Sequence, residues 1–156
     1  MNTAPPAASA VPSAPSPSPS TLARRLVNAA IVPFVLGALL VWIVREEAHA
    51  DVTLALVAYA AVIVAFVGGV HWGLALRLPD PPRELLLWGL LPTLVSWLAV
   101  VMRPGAGLVI VGVMLVAGYL IDRHVYVQQG VAHWLTLRFR LAAIAALSCF
   151  VAAAGS

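Results

Sequence analysis

Residues 52–76, VTLALVAYAAVIVAFVGGVHWGLAL, run from Val52 to Leu76 without an Asp, Glu, Lys or Arg, and with one histidine, His71. About 20 consecutive apolar residues suffice to cross the hydrocarbon core of a bilayer as a helix. The stretch therefore reads as a membrane span, and it sets lipid as the solvent for the rest of the chain. Four further apolar segments flank it: Leu26–Val44, Leu85–Met102, Ala106–Ile121 and Thr136–Ala154. The expected fold is an all-α membrane protein, a bundle of about five transmembrane helices.

Composition agrees. Hydrophobic residues make up 62% of the chain and charged residues 10%, against roughly 25% charge in ordinary soluble domains. A soluble fold of this size leaves too much surface exposed to hide that apolar area. A soluble bundle would also need a polar face on each helix, and Leu85–Met102 is apolar nearly all round. Ala106–Ile121 is short, about 24 Å at the helical rise per residue. It is expected to borrow length from Pro104–Gly105 or Arg123–Val125, or to sit where the bilayer thins.

The net charge of +3 does not point to nucleic acid. All nine basic residues are Arg, singly or in pairs at the ends of the apolar segments, whereas nucleic-acid binders gather them on one face. Their distribution orients the bundle instead. Arg24, Arg25, Arg77, Arg83, Arg123, Arg138 and Arg140 fall on one side, Arg45 and Arg103 on the other. The positive-inside rule puts the N-terminus in the cytoplasm and the C-terminus outside. Trp72, Trp88 and Trp134 are expected at the inner interface, Trp42 and Trp97 at the outer one. Residues 1–23, mostly Ala, Pro, Ser and Thr, read as a disordered tail that lacks the apolar core of a signal peptide. Residues 24–156 form the membrane domain. The one cysteine, Cys149, lies inside the last segment and reads as a small core side chain.

Within the second segment Ala61, Ala65, Gly69 and Gly73 recur every fourth position, with Gly68 beside them. Such rows let helix backbones approach closely in lipid. The segment is expected at the centre of the bundle, and Gly69→Leu is expected to disrupt folding. Pro33 and Pro92 each stand inside an outward-running helix, with Gly37 and Ser96 four residues later. This is a faint echo of the parallel repeats found in transporters.

Candidate chemistry is sparse. His71 is an ionisable group inside a span, and such groups are functional candidates by default. It lies only about 8 Å from the inner boundary, so a structural role is the first reading. Haem would need a second histidine at matching depth, and His49, His124 and His133 fall in loops; zinc would need clustered ligands. No cofactor is assigned. Ser96 lies about 17 Å from the inner end of its helix, out of reach of His71 as a nucleophile and base pair. It reads as helix support near Pro92, where Ser or Thr groups such as Thr93 relieve the orphaned Trp88 carbonyl. The remaining polar groups, including Asn28, Asp122, Arg123, His124, Tyr126, His133 and Arg138, gather at the inner face. A solvated loop with arginines on lipid phosphates is the simpler reading there. The sharper one pairs Asp122 with Arg123, Arg138 or His71.

The run Tyr59 to Gly73, with its Gly68-Gly69-Val70-His71-Trp72-Gly73 core, resembles the signature helix of an uncharacterised membrane family, domain of unknown function 3429, the transmembrane protein 69-like family. Val32-Pro33-Phe34, Leu91-Pro92-Thr93-Leu94-Val95-Ser96-Trp97 and Leu137-Arg138-Phe139-Arg140-Leu141 match in the same order, so that the resemblance covers about Leu26 to Ala154. It implies a bundle of about five helices in a bacterial inner or organellar membrane. It brings no activity, ligand or catalytic residue.

The absence of Lys beside heavy Ala and Arg use favours a GC-rich bacterium, hence a multi-pass protein of the cell inner membrane. The lipid bilayer is one partner; a second membrane protein or a further copy of the chain is the other. A non-enzymatic accessory or assembly factor is the leading expectation. A small oligomeric transporter or channel is the alternative, with a haem or redox protein behind it.

Overall fold

A computed structural model describes residues 18–156. The expectation for the first 17 residues of the tail lies outside the described residues. Five long helices, each long and apolar enough to cross a membrane, make up the bundle, and no strand occurs among the described residues.

Helix α1 spans Thr21–Ile43 and opens on Ser20, whose hydroxyl accepts the Ala23 N–H at 3.1 Å. That cap satisfies one orphan donor of the first turn and starts the helix at Thr21 rather than Leu26, inside the stretch read from composition as tail. Helix α2, Glu46–Ala75, carries Glu46 and Glu47 in its first turn, where acidic groups suit the helix dipole. The connection to α3, Arg83–Val101, runs through Pro79, Pro81 and Pro82, which keep the chain out of the helical conformation. Helix α4, Pro104–Gln128, begins on a proline, whose missing N–H would be unpaired there anyway. It reaches past Ile121 at one end and takes in Pro104 and Gly105 at the other. The short span therefore gains length at both ends, and His124 is helical rather than in a loop. Gly130, with φ +71°, turns the chain, and a 3₁₀ turn at Ala132–Trp134 leads into α5, Leu135–Ala154.

Around the bundle the helices neighbour one another in the order α1, α5, α4, α3, α2 and back to α1, and α2 also touches α4 and α5. The second helix thus meets all four others and takes the central place expected of it. The core at mid-depth is built by all five: Phe34, Val57, Ala60, Ala99, Leu108, Val111 and Cys149 are fully buried. Where the alternative to a helix contact is a lipid contact, close packing rather than the hydrophobic effect holds helices together. Glycines supply that closeness. A side chain at Gly112 would lie 2.8 Å from the Phe150 ring, and one at Gly107 would strike the Ala99 carbonyl. The longest buried small-residue face belongs to α5: Ala142, Ala145, Ala146, Cys149 and Ala152.

Outward side chains are apolar: Phe66 is 72% exposed, Leu94 53% and Trp97 67%. A surface of this kind is an aggregation hazard in water and matches acyl chains in a bilayer. At the end away from most arginines, Trp42 donates to the Val151 carbonyl at 3.1 Å and His49 Nε2 lies 2.9 Å from the Gly155 carbonyl oxygen. These contacts fasten α1 and α2 to the last turn of α5.

A buried His–Asp–Arg cluster as candidate functional site

The arginine-rich end of the bundle holds three buried ionisable side chains from three helices. His71 comes from the last turns of α2, Asp122 from the last turns of α4, and Arg138 from the first turn of α5. They are 3%, 0% and 7% exposed. Arg138 Nε donates to Asp122 Oδ2 at 2.5 Å. His71 Nε2 stands 3.3 Å from Asp122 Oδ1, close enough to feel its charge. The two are not aligned as a hydrogen bond, so both atoms stay without a donor–acceptor partner. Asp122 and Arg138 cancel in charge. With a neutral imidazole the cluster sums to zero; a proton on His71 would bring it to +1.

Local packing explains why the three meet. Gly118 lies one turn before Asp122 on α4, and a Cβ there would come within 3.2 Å of Arg138 Nη2. The missing side chain is the space into which the guanidinium fits. On the α2–α3 seam, Gly68 receives Pro92, whose Cβ would sit 2.9 Å from a side chain at that glycine. Gly89 in turn receives the Trp72 indole. Gly68, Pro92, Trp88 and Gly118 then wall a cavity of about 10 Å³ bordered by His71, Asp122 and Arg138. That volume is about what one buried water needs, and such a water needs two to four polar partners. His71 Nδ1, Asp122 Oδ1 and Arg138 Nη1 are buried groups with no hydrogen-bond partner. The cluster can therefore hold a water, hold a proton or fix three helices. Among the described residues no three His, Cys, Asp or Glu side chains converge to hold a metal.

The sequence-derived candidates divide. The structure brings His71, Asp122 and Arg138 together, and pairs Asp122 with two of its three proposed partners at once. Arg123 is exposed and takes no part. The solvated-loop reading of this end is thereby replaced for these three residues: α4 continues through Asp122 and buries it. Gly68, Trp72 and Pro92 line the adjoining seam. Gly69 and Gly73 do not join them. Both are exposed, and a Cβ at either meets nothing within 4 Å. The expectation that Gly69→Leu disrupts folding falls with this, because the close-packed glycine is its neighbour Gly68. Ser96 is buried, its hydroxyl has no partner, and it does not line the His71 cavity; Thr93 is exposed. Near the other proline, Tyr59 donates to the Ala30 carbonyl at 2.8 Å; the carbonyl that Pro33 deprives of its intrahelical donor is the adjacent one, of Ala29, and Pro33 itself faces outward. Trp88 is half-buried against the cavity rather than belonging simply to an interfacial belt. Sequence reasoning missed Gly89 and Gly118. The signal for Gly118 was its spacing, one helical turn before an intramembrane carboxylate.

Five apolar helices closed around a buried ionic cluster define a multi-pass integral membrane protein. The chain belongs to the family described as "protein of unknown function (DUF3429)", whose model matches residues 19–154. It is similar to transmembrane protein 69 of Xenopus tropicalis, at 35% identity over 98 residues; the alignment covers 58% of this chain and 38% of that protein. The chain thus spans well under half the length of that relative. No solved structure matches it.

Proposed function

We propose that the protein is a non-enzymatic accessory or assembly factor of a bacterial inner membrane, which packs the outer face of α2 against a helix of a partner membrane protein. The observation that carries this reading is the open space over Gly69 and Gly73, where a Cβ meets nothing within 4 Å. Small residues four apart let two helix backbones approach closely in lipid. Here the approach is left free on the outer face of α2, whereas Gly68 on its inner side is filled by Pro92. The apolar side chain of Leu76, 82% exposed, lies one turn beyond Gly73 and would pack beside the incoming helix. The excess of arginines at the end bearing Ser20 supports a cytoplasmic N-terminus.

The test is affinity purification of the full chain in mild detergent from its own host. Wild type should retain a stoichiometric membrane protein. Gly69→Leu/Gly73→Leu should express and fold as wild type yet lose that partner. Equal retention by the variant would refute the reading.

The buried His71–Asp122–Arg138 cluster favours a second reading, an ion-coupled transporter, since intramembrane titratable groups form proton relays in carriers. A symmetric homo-oligomer that drives flux in liposomes, with the flux abolished by His71→Gln, would establish that alternative in place of the first.

A further inference from the structure

Independently of the α2 face, we infer that the arginine-rich end of the bundle carries a binding site for an anionic phospholipid, its acyl chain between α1, α2 and α5 and its phosphate on Arg24 and Arg140. Two adjoining hollows carry the inference. The first, about 350 Å³, is walled by Val27 of α1, Phe66 and Val70 of α2, Tyr126 of α4 and Leu137 and Leu141 of α5. Its volume lies within the roughly 300–1,000 Å³ of small-molecule sites, and its walls are hydrocarbon or aromatic apart from Arg138, which Asp122 already engages. The second, about 330 Å³, is bordered by Arg24, His133, Thr136 and Arg140. Leu137 lines both, so the apolar hollow and the basic one lie on either side of that side chain.

The chemistry of the occupant follows from charge and shape. Among the described residues neither Arg24 nor Arg140 forms an ion pair, in contrast to Arg138, which Asp122 engages. Among the described residues no carboxylate borders the basic hollow. Helix α5 opens without an acidic residue in its first turn, so its dipole adds positive potential there. Two free guanidinium groups and the Thr136 hydroxyl suit a phosphate, which arginine binds in bidentate fashion. A free phosphate would leave the apolar hollow unused. A lipid fills both, and basic pockets between transmembrane helices are established places for anionic headgroups.

The experiment uses the full chain, delipidated in detergent, and reads lipid retention and melting temperature after addition of phosphatidylglycerol, phosphatidylcholine or inorganic phosphate. Phosphatidylglycerol should bind and raise the melting temperature, and the other two should not. Arg24→Gln/Arg140→Gln removes two exposed charges and should weaken phosphatidylglycerol binding about thirtyfold, at the usual strength of an arginine near an anionic headgroup. Val27→Trp, in the wall of the apolar hollow, should also release the lipid while both arginines stay in place. Equal binding of phosphatidylcholine, or stabilisation by inorganic phosphate alone, would overturn the inference. So would undiminished phosphatidylglycerol binding by folded Arg24→Gln/Arg140→Gln. Because neither variant touches Gly69 or Gly73, loss of lipid is distinguishable from loss of the protein partner.

Discussion

Replacing Asp122 by Asn should damage the fold more than any other near-isosteric change in the bundle. Asp122 is fully buried and sits 2.5 Å from Arg138 Nε and 3.3 Å from His71 Nε2. The amide keeps the shape and removes the negative charge, leaving the Arg138 guanidinium, 7% exposed, without a counterion. Breaking a buried pair by deleting one partner costs about 3–5 kcal/mol. If the freed arginine reaches the interface, the loss falls towards the roughly 2.5 kcal/mol at which insertion scales place an intramembrane arginine. Arg138 lies in the first turn of α5, so some of that relief is open to it. The expected destabilisation is therefore about 2.5–5 kcal/mol. Neutralising both ends, Asp122→Asn with Arg138→Gln, should recover much of the loss, because a pair removed whole leaves no buried charge. Denaturant titration in mild detergent, followed by circular dichroism, measures both variants and the coupling between them. A single Asp122→Asn variant within about 0.5 kcal/mol of wild type, the range of ordinary surface changes, would refute the argument that the ion pair is buried and closed.

Gly68→Leu drives a side chain into Pro92 and the Gly89 carbonyl and should destabilise the same titration by about 1–3 kcal/mol, whereas Gly69→Leu should leave it unchanged; equal effects would contradict the α2–α3 seam. Tyr59→Phe deletes the hydrogen bond to the Ala30 carbonyl and should lower stability by about 0.5–1.5 kcal/mol; a neutral result would mean that lipid or water serves that carbonyl equally well. Cys149 is fully buried, so the folded protein in detergent should resist a membrane-permeant maleimide and react only on unfolding. Rapid labelling of the native state would place that face of α5 outside the core.

Much of the architecture could be read from local pattern. Runs such as Val52–Leu76 exclude water by composition alone, and their number and order survive in the five helices. Boundaries moved where capping and charge override hydropathy: Ser20 starts α1 early, and Asp122, Arg123 and His124 did not stop α4. The continuation of α4 had the largest consequence. Hydropathy treats a carboxylate as an end of a span, but a carboxylate with an arginine opposite is tolerated within one. For the same reason Asp122 looked like a residue of a solvated loop until the arginine of another helix was beside it. The glycines tell the same story at finer grain. Spacing marked α2 as a helix rich in small residues but could not rank Gly68 above Gly69. One residue is about 100° of helical rotation, and which side met α3 was not a local property.

From the order of its amino acids alone this chain is committed to lipid, to helices and to a strong asymmetry of arginines between the two ends of the bundle. These follow from transfer of side chains and backbone between water and hydrocarbon, which each segment experiences by itself. Which faces of those helices meet, that His71, Asp122 and Arg138 share one pocket though far apart in the chain, and that Gly69 and Gly73 are left open, belongs to the tertiary structure. Helix rotation in a bilayer is set by contacts with neighbouring helices, and no segment carries its neighbours' contribution in its own sequence.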